Sequence, residues 1–192
     1  WVHSIAGDQR ADDGGSLIFQ TAPLAEEAVY LGAPELTVDV ACDGDWDNLA
    51  VRIIDVHPDG AETRACYGVL NLAHRDGYET PTKLPRGEKT AITMQLDAMG
   101  YRFAPGHRIK VALSTSYWPT ILPSPQAPGL TIDTASIRLS MPLLGEHERI
   151  TVAEPENENP LPVYEMRQPE GTRRSVHKDL VTGLTHYRIY ED

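Results

Sequence analysis

Short apolar runs in which every second residue is hydrophobic recur along this chain of 192 residues. In "ELTVDVAC" (35–42), Leu36, Val38, Val40 and Cys42 alternate with polar or small residues. Successive side chains of a strand point to opposite faces, so this pattern predicts a β-strand with one buried face. Strand-like runs also occur at 48–56, 63–72, 90–99, 106–114, 129–134 and 136–141.

The run "GHRIKVALS" (106–114) illustrates the two faces that we expect. Ile109, Val111 and Leu113 point one way, and the residues between them point the other. The sequence therefore predicts a half-buried strand at this place.

Helices have little room in this sequence, because 15 prolines and 15 glycines are spread along it. We expect one helical turn, in "APLAEEAV" (22–29). "HPDG" (57–60) has the composition of a hairpin turn, and Gly68 inside a predicted strand indicates a bulge or a close backbone approach. Many short strands with Pro-rich connections predict an all-β fold, an antiparallel β-sandwich of the jelly-roll type, with a closed barrel as the alternative.

Three regions follow from changes in composition. We expect a jelly-roll β-sandwich domain over 1–143 and an acidic, Pro-containing connection over 144–162. A C-terminal β-hairpin over 163–192 turns near Thr182 and Gly183 and is expected to pack on the sandwich.

Composition and charge exclude several classes of protein. Apolar residues make up 41% of the chain and charged residues 23%, which is typical of a folded globular domain. The net charge of −11 argues against a nucleic-acid or anionic-membrane partner, and no apolar run is long enough to span a membrane. The chain begins at Trp1, and we expect it to be a fragment of a longer protein.

The two cysteines, Cys42 and Cys66, lie in strand-like runs. We expect both to be buried free thiols and not a disulfide, which fits a cytoplasmic location. Two thiols without CxxC spacing also argue against a structural zinc site.

Serine-hydrolase chemistry is not supported by this sequence alone. It contains no GxSxG motif, and His107 and Ser114 lie on one predicted strand, about 23 Å apart at a rise of about 3.3 Å per residue. We therefore predict no catalytic residue in this chain.

Metal or cofactor binding is not predicted either. His107 follows Pro105 and Gly106, where a structural role is expected, and the other histidines show no HxxxH or HxH spacing. "DGDWDN" (43–48) has aspartates at alternate positions, but Ile54 stands where a calcium loop needs glutamate. An acidic turn is the favoured interpretation, and calcium binding is the alternative.

Four aromatic residues fall at predicted strand ends or loops: Trp1, Trp46, Tyr117 and Trp118. Such residues can stack on sugars or anchor an interface, and packing beneath the loops explains them equally well.

Three separated motifs occur in the order typical of one family. They are "DQRADDGGSLIFQTAPL" (8–24), "LAVRIIDVHPDG" (49–60) and "FAPGHRIKVALSTSYWP" (103–119). Together they resemble the C-terminal β-sandwich domain of the X-Pro dipeptidyl-peptidase and cocaine esterase family of serine hydrolases. The resemblance covers Asp8 to Leu143.

The resemblance implies a galactose-binding-like jelly roll beside an α/β-hydrolase domain of the same parent chain. That domain would supply a Ser-Asp-His triad upstream of Trp1, so this chain alone should be inert. Its candidate cleft or domain-interface residues are Trp1, His3, Tyr117 and Trp118.

The expected function is therefore a non-catalytic accessory domain that stabilises a hydrolase core and shapes its cleft. Two alternatives remain: a carbohydrate-binding module, and an oligomerisation domain whose edge strands pair between chains.

Overall fold

The computed structural model describes residues 9–118, 120–145, 173–179, 181–182 and 184–190. The chain divides into two compact units, residues 1–148 and 149–192. The strands of the first unit are β1 Leu17–Gln20, β2 Ala28–Gly32, β3 Glu35–Cys42, β4 Asn48–Val56, β5 Glu62–Asn71, β6 Thr90–Gln95, β7 Met99–Phe103, β8 Arg108–Ser114, β9 Leu130–Ile132 and β10 Arg138–Ser140. Two short 3₁₀ helices cover Gln9–Gly15 and Leu72–His74.

Two antiparallel sheets form the sandwich. Sheet I has the strand order β1-β8-β4-β5. In sheet II, β3 pairs with β6 along one edge, and β9 and β10 share its other edge. Strands β2 and β7 form a separate pair.

The core lies between the two sheets. Its fully buried side chains include Leu36 and Val40 from β3, Val51 and Ile53 from β4, and Ile92 from β6. The alternation in 35–42 predicted this correctly, and the antiparallel all-β sandwich is confirmed. The described strands form open sheets and not a closed barrel. The jelly-roll type stays a prediction.

Strands β4 and β8 are buried on both faces, so the expectation of a half-buried strand at β8 was wrong. Ala112 and Lys110 on the outer face are buried together with Leu113 on the core face. The 3₁₀ helix Gln9–Gly15 lies over this outer face, where Asp13 of the helix contacts the ammonium group of Lys110. A period-two pattern shows that a strand has two faces, but it does not show what covers each of them.

Gly68 has the close approach that its position predicted. A β-carbon there would lie 3.0 Å from Cα and Cγ of Leu96. The bulge in the β4–β5 ladder lies nearby, where Ile53 pairs with Cys66 and Ile54 pairs with Arg64.

The helical turn expected in 22–29 is absent from this described segment, because residues 22–27 are irregular and β2 begins at Ala28. Pro23 and the pairing of β2 with β7 determine the backbone here.

In the second unit, β11 (Arg173–Lys178) pairs antiparallel with β12 (Thr185–Tyr190), which forms a hairpin. Its packing on the sandwich stays a prediction. Residues 146–162 of the expected acidic connection lie outside the described residues. The described part of the chain has no helix with the length and apolar character of a membrane span.

Candidate functional site

A buried polar cluster lies on the outer face of sheet I, next to the predicted aromatic loop. Arg52 of β4 is completely buried, and its guanidinium donates to Oε1 of Gln9 (3.2 Å) and to Oγ of Ser16 (2.8 Å). The guanidinium carbon also lies 5.2 Å from the ring centroid of Tyr117. These contacts join the N-terminal 3₁₀ helix, β4 and the segment after β8.

Tyr117, a predicted cleft residue, is itself part of this cluster and is only 1% exposed. Its hydroxyl accepts from Nη1 of Arg64 (2.6 Å) and lies 3.4 Å from Oε1 of Gln9. Burial raises the pKa of Tyr117, and the neighbouring guanidinium groups of Arg64 and Arg52 oppose that shift. Tyr117 therefore anchors its segment to the sheet.

Trp118 follows directly and is 50% exposed, so it presents an aromatic surface to solvent. The other two predicted interface residues, Trp1 and His3, lie outside the described residues.

Two side chains of the edge strand β1 lie on the same face of sheet I as the core residues. Leu17 pairs with Leu113 and Phe19 pairs with Val111, in the same rows as Val51 and Ile53. Yet Leu17 and Phe19 are 37% and 38% exposed, respectively. An apolar, exposed edge strand is a surface that soluble proteins usually cover or interrupt with charge.

Ser114 and His107 lie at opposite ends of β8, as their spacing predicts. Oγ of Ser114 donates to the backbone oxygen of Ser116 (2.7 Å), and His107 precedes the strand. They cannot form a nucleophile–base pair.

His107 instead meets a carboxylate and a second histidine. Its Nδ1 donates to Oδ1 of Asp55 (2.8 Å), and Nε2 of His57 lies 3.7 Å from Oδ2 of the same carboxylate. The hydroxyl of Tyr101 donates to Oδ2 of Asp55 (3.0 Å). Burial, this hydrogen bond and the Asp55 charge together raise the pKa of Tyr101 to about 12.

Sequence spacing missed this cluster because its histidines are 50 residues apart. The signal becomes visible once β4 and β8 are paired, since Val56 lies opposite Arg108 at their ends. The residues that follow β4 and precede β8, His57 and His107, then become neighbours, with ring centroids 4.5 Å apart.

The acidic turn "DGDWDN" has its central carboxylate already paired. Asp45 accepts from Lys83 (2.7 Å) and from Arg86 (2.6 Å), and these hydrogen bonds, with Arg86 the stronger influence, lower its pKa to about 2. The two cations occupy the oxygens that a calcium ion would need, which favours the acidic-turn interpretation over calcium binding.

A shallow pocket of about 260 Å³ lies beside this turn. Trp46, Asp47, Asn48 and Asn71 line it together with residues 122–125. Burial raises the pKa of Asp47, whose Oδ1 accepts from the backbone of Asn48 (2.9 Å).

The fold of this chain occurs within larger hydrolases. An α-amino acid ester hydrolase superposes with a TM-score of 0.65 at 24% identity, over 73% of this chain and 28% of the hydrolase. An aminopeptidase from a marine sediment Thaumarchaeota archaeon gives 0.65 at 19% identity, over 73% of this chain and 28% of its own. A CocE/NonD family hydrolase from Staphylococcus aureus gives 0.56 at 18% identity, over 71% of this chain and 32% of its own. These superpositions define the class of fold, an antiparallel β-sandwich domain.

Sequence comparison gives the particular family. The model of the X-Pro dipeptidyl-peptidase C-terminal non-catalytic domain matches residues 2–160, and this chain belongs to that family. Cocaine esterase from Rhodococcus sp. (strain MB1 Bresler) is 28% identical over 114 residues, which are 58% of this chain and 20% of the esterase. The family resemblance inferred from the three motifs is confirmed.

Proposed function

We propose that this chain is the C-terminal accessory domain of a serine hydrolase, where it stabilises the catalytic domain and shapes its active-site cleft. The observation that carries the proposal is the family match over residues 2–160, to a domain described as non-catalytic. The names of the similar proteins, an esterase, an ester hydrolase and an aminopeptidase, suggest that the parent hydrolyses an ester or a peptide bond. Its Ser-Asp-His triad would belong to an α/β-hydrolase domain that precedes this one.

The exposed apolar face of β1 is the surface that we assign to the catalytic domain. In the similar proteins the matched region makes up 20% to 32% of the chain, so most of each chain lies outside it. The chain coming from a preceding domain would reach the sandwich near the 3₁₀ helix Gln9–Gly15, and β1 follows this helix directly. Leu17 and Phe19 are the apolar side chains that such a domain would cover.

Trp118 is our candidate for the wall of the cleft. The buried ring of Tyr117 holds the preceding backbone against sheet I, so the exposed indole has a fixed attachment. We propose that Trp1 and His3 of the N-terminal segment contribute to the same boundary.

The test introduces charged side chains on the apolar face of β1 in the parent protein. The double variant Leu17→Lys/Phe19→Lys should lower the temperature at which hydrolytic activity is lost and reduce kcat/KM. The matched control is Leu31→Lys, a residue of β2 that is even more exposed and lies outside sheet I. Both variants are also prepared in the 192-residue chain, where circular dichroism should show the same fold and a similar Tm.

Equal behaviour of the β1 variant and the Leu31 control in the parent would contradict this assignment. Sedimentation of the 192-residue chain tests the alternative that β1 is an oligomerisation surface. A concentration-dependent dimer that Leu17→Lys/Phe19→Lys abolishes would mean that β1 pairs with a second copy, as an oligomerisation domain would.

Carbohydrate binding is the second candidate, and the pocket beside Trp46 favours it. An indole with carboxylate and amide groups around it is a suitable surface for a sugar ring. Titration with simple sugars should then change the tryptophan fluorescence of the chain, and Trp46→Ala should remove the change while Trp118→Ala keeps it. A flat titration in the wild-type chain would eliminate this candidate.

We also infer a cytoplasmic location. The two cysteines are free and buried, which suits a reducing compartment. Secretion of the parent protein to an oxidising compartment would contradict this inference.

A further inference from the structure

We propose that Asp55, His57 and His107 bind a divalent transition-metal ion, with Zn²⁺ as the best match. Each of the three residues offers a ligand atom within 4.8 Å of the other two. Within the residues that the structure describes, this is the one group of three such side chains found this close together. The proposal departs from the expectation of no metal site, and it is independent of the proposed hydrolase role.

The donor set selects the kind of ion. Two imidazoles and one carboxylate are typical of zinc and its neighbours in the transition series, which leave a further position for water. Mg²⁺ and Ca²⁺ instead require a shell made mostly of oxygen atoms. Zinc should therefore bind in preference to both.

The spacing of the donors is close to what such an ion needs. Metal bonds of about 2.1 Å in a tetrahedron place neighbouring ligand atoms about 3.4 Å apart. Nε2 of His57 and Oδ2 of Asp55 are 3.7 Å apart. A small rotation of the more exposed imidazole would bring both atoms to bonding distance.

The carboxylate is already oriented by its neighbours. Tyr101 donates to Oδ2 of Asp55, and Nδ1 of His107 faces Oδ1 at 2.8 Å, so a metal ion would replace the proton between them and the imidazole would carry its proton on Nε2. Thr63 lies 3.2 Å from Nε2 of His57, and its hydroxyl can rotate away. Supporting hydrogen bonds of this kind raise the affinity of metal ligands.

The three side chains differ in their exposure to solvent, so that an ion can reach the site from one side. The side chain of Asp55 is 3% exposed, that of His107 16% and that of His57 35%. An ion would approach from the His57 side, and solvent there would supply the remaining ligand.

A simpler role for the same residues is a hydrogen-bonded brace between the turn at 57–60 and the start of β8. The substitution His57→Ala separates the two roles, because it removes one proposed ligand and keeps the bond between Asp55 and His107. His74→Ala is the matched control, since His74 lies outside the cluster and stacks on Tyr78. His177→Ala is the second control, because His177 and His186 form a cross-strand pair in the hairpin that could hold zinc adventitiously.

The experiment titrates ZnCl₂, MgCl₂ and CaCl₂ into the 192-residue chain and records Tm and the imidazole NMR signals. Zinc at about 100 times its dissociation constant should raise Tm by about 5 °C and shift the signals of His57 and His107. His57→Ala should keep the Tm measured without metal and weaken zinc binding at least about tenfold. His74→Ala and His177→Ala should bind zinc as the wild-type chain does.

Two results would overturn the proposal. One is a wild-type chain whose Tm and imidazole signals do not respond to zinc. The other is a response that survives His57→Ala, or that disappears in His177→Ala, because zinc would then be bound elsewhere.

Discussion

Arg52 lies fully buried on the outer face of β4, where a charged side chain is costly unless hydrogen bonds compensate for the lost water. Its guanidinium donates to Gln9 and Ser16 and lies against the ring of Tyr117. Arg52→Ala would remove these hydrogen bonds and open a cavity beneath the 3₁₀ helix. We expect the free energy of unfolding to fall by about 3 kcal/mol, measured by urea denaturation.

The control for this prediction is Arg102→Ala. Arg102 is 69% exposed and forms one surface ion pair with Glu27 (3.5 Å), so its loss should change the stability by less than about 0.5 kcal/mol. Equal effects of the two substitutions would show that the buried cluster does not hold the outer face together.

We expect Cys66 to make the stability of the domain decline at alkaline pH. Burial raises the pKa of its thiol to about 11, and the thiol donates to the backbone oxygen of Asp97 (3.0 Å). An unfolded cysteine ionises near pH 8.5, so the folded state favours the protonated thiol, and its contribution is lost as pH rises above that value. Between about pH 8.5 and 10 this amounts to up to about 2 kcal/mol.

Urea unfolding at pH 8 and pH 10 measures this loss in the wild-type chain and in Cys66→Ala. The variant should show a smaller decline between the two pH values. An identical decline in both proteins would assign the alkaline sensitivity to other groups.

Single residues were the hardest features to predict from the sequence. The strand-like pattern of 48–56 gave no sign that the 3₁₀ helix would cover Arg52. Likewise His57 and His107 become neighbours only through the pairing of β4 with β8, which local spacing does not encode. The burial of Tyr117 depends on arginines from two other strands, so its loop position alone suggested more exposure than it has.

At the scale of elements, β5 depends on a close approach that only glycine allows. A β-carbon at Gly68 would lie 3.0 Å from backbone and side-chain atoms of Leu96. The backbone of Leu96 would have to move away, which costs energy. Gly68→Ala should therefore destabilise the domain by about 1–3 kcal/mol in chemical denaturation.

Gly100→Ala in β7 is the matched control for this prediction. Its β-carbon would meet only Cδ1 of Leu31, at an ordinary contact distance of 3.5 Å. This substitution should be neutral or stabilising by about 0.5 kcal/mol. If Gly68→Ala is equally harmless, the packing of β5 against the segment at Leu96 is looser than the distances indicate.

The elements were predictable where one face is buried and the other is not. The alternation in 35–42 placed β3 correctly, because its core face is strictly apolar. Three strands gave no clear alternation and were not predicted: β1, β2 and β7. All four residues of β1 are exposed. Strands β2 and β7 pair mainly with each other, so their burial follows from long-range packing.

For the whole molecule, the all-β sandwich and the family followed from the sequence because strand patterns and motif order are both linear features. The surface that we propose to contact another domain does not follow in this way. The exposure of Leu17 and Phe19 depends on what lies beside the edge of sheet I, which only the folded structure reveals. A binding face and a core face have the same apolar pattern in sequence.

We propose that this domain supports catalysis without performing it. The most direct measurement is a hydrolysis assay of the purified 192-residue chain with an activated ester and with an X-Pro anilide. We predict no release of product above the rate in buffer. Turnover that rises in proportion to the chain concentration, and that is lost on substitution of one of its own serine or histidine residues, would contradict the claim.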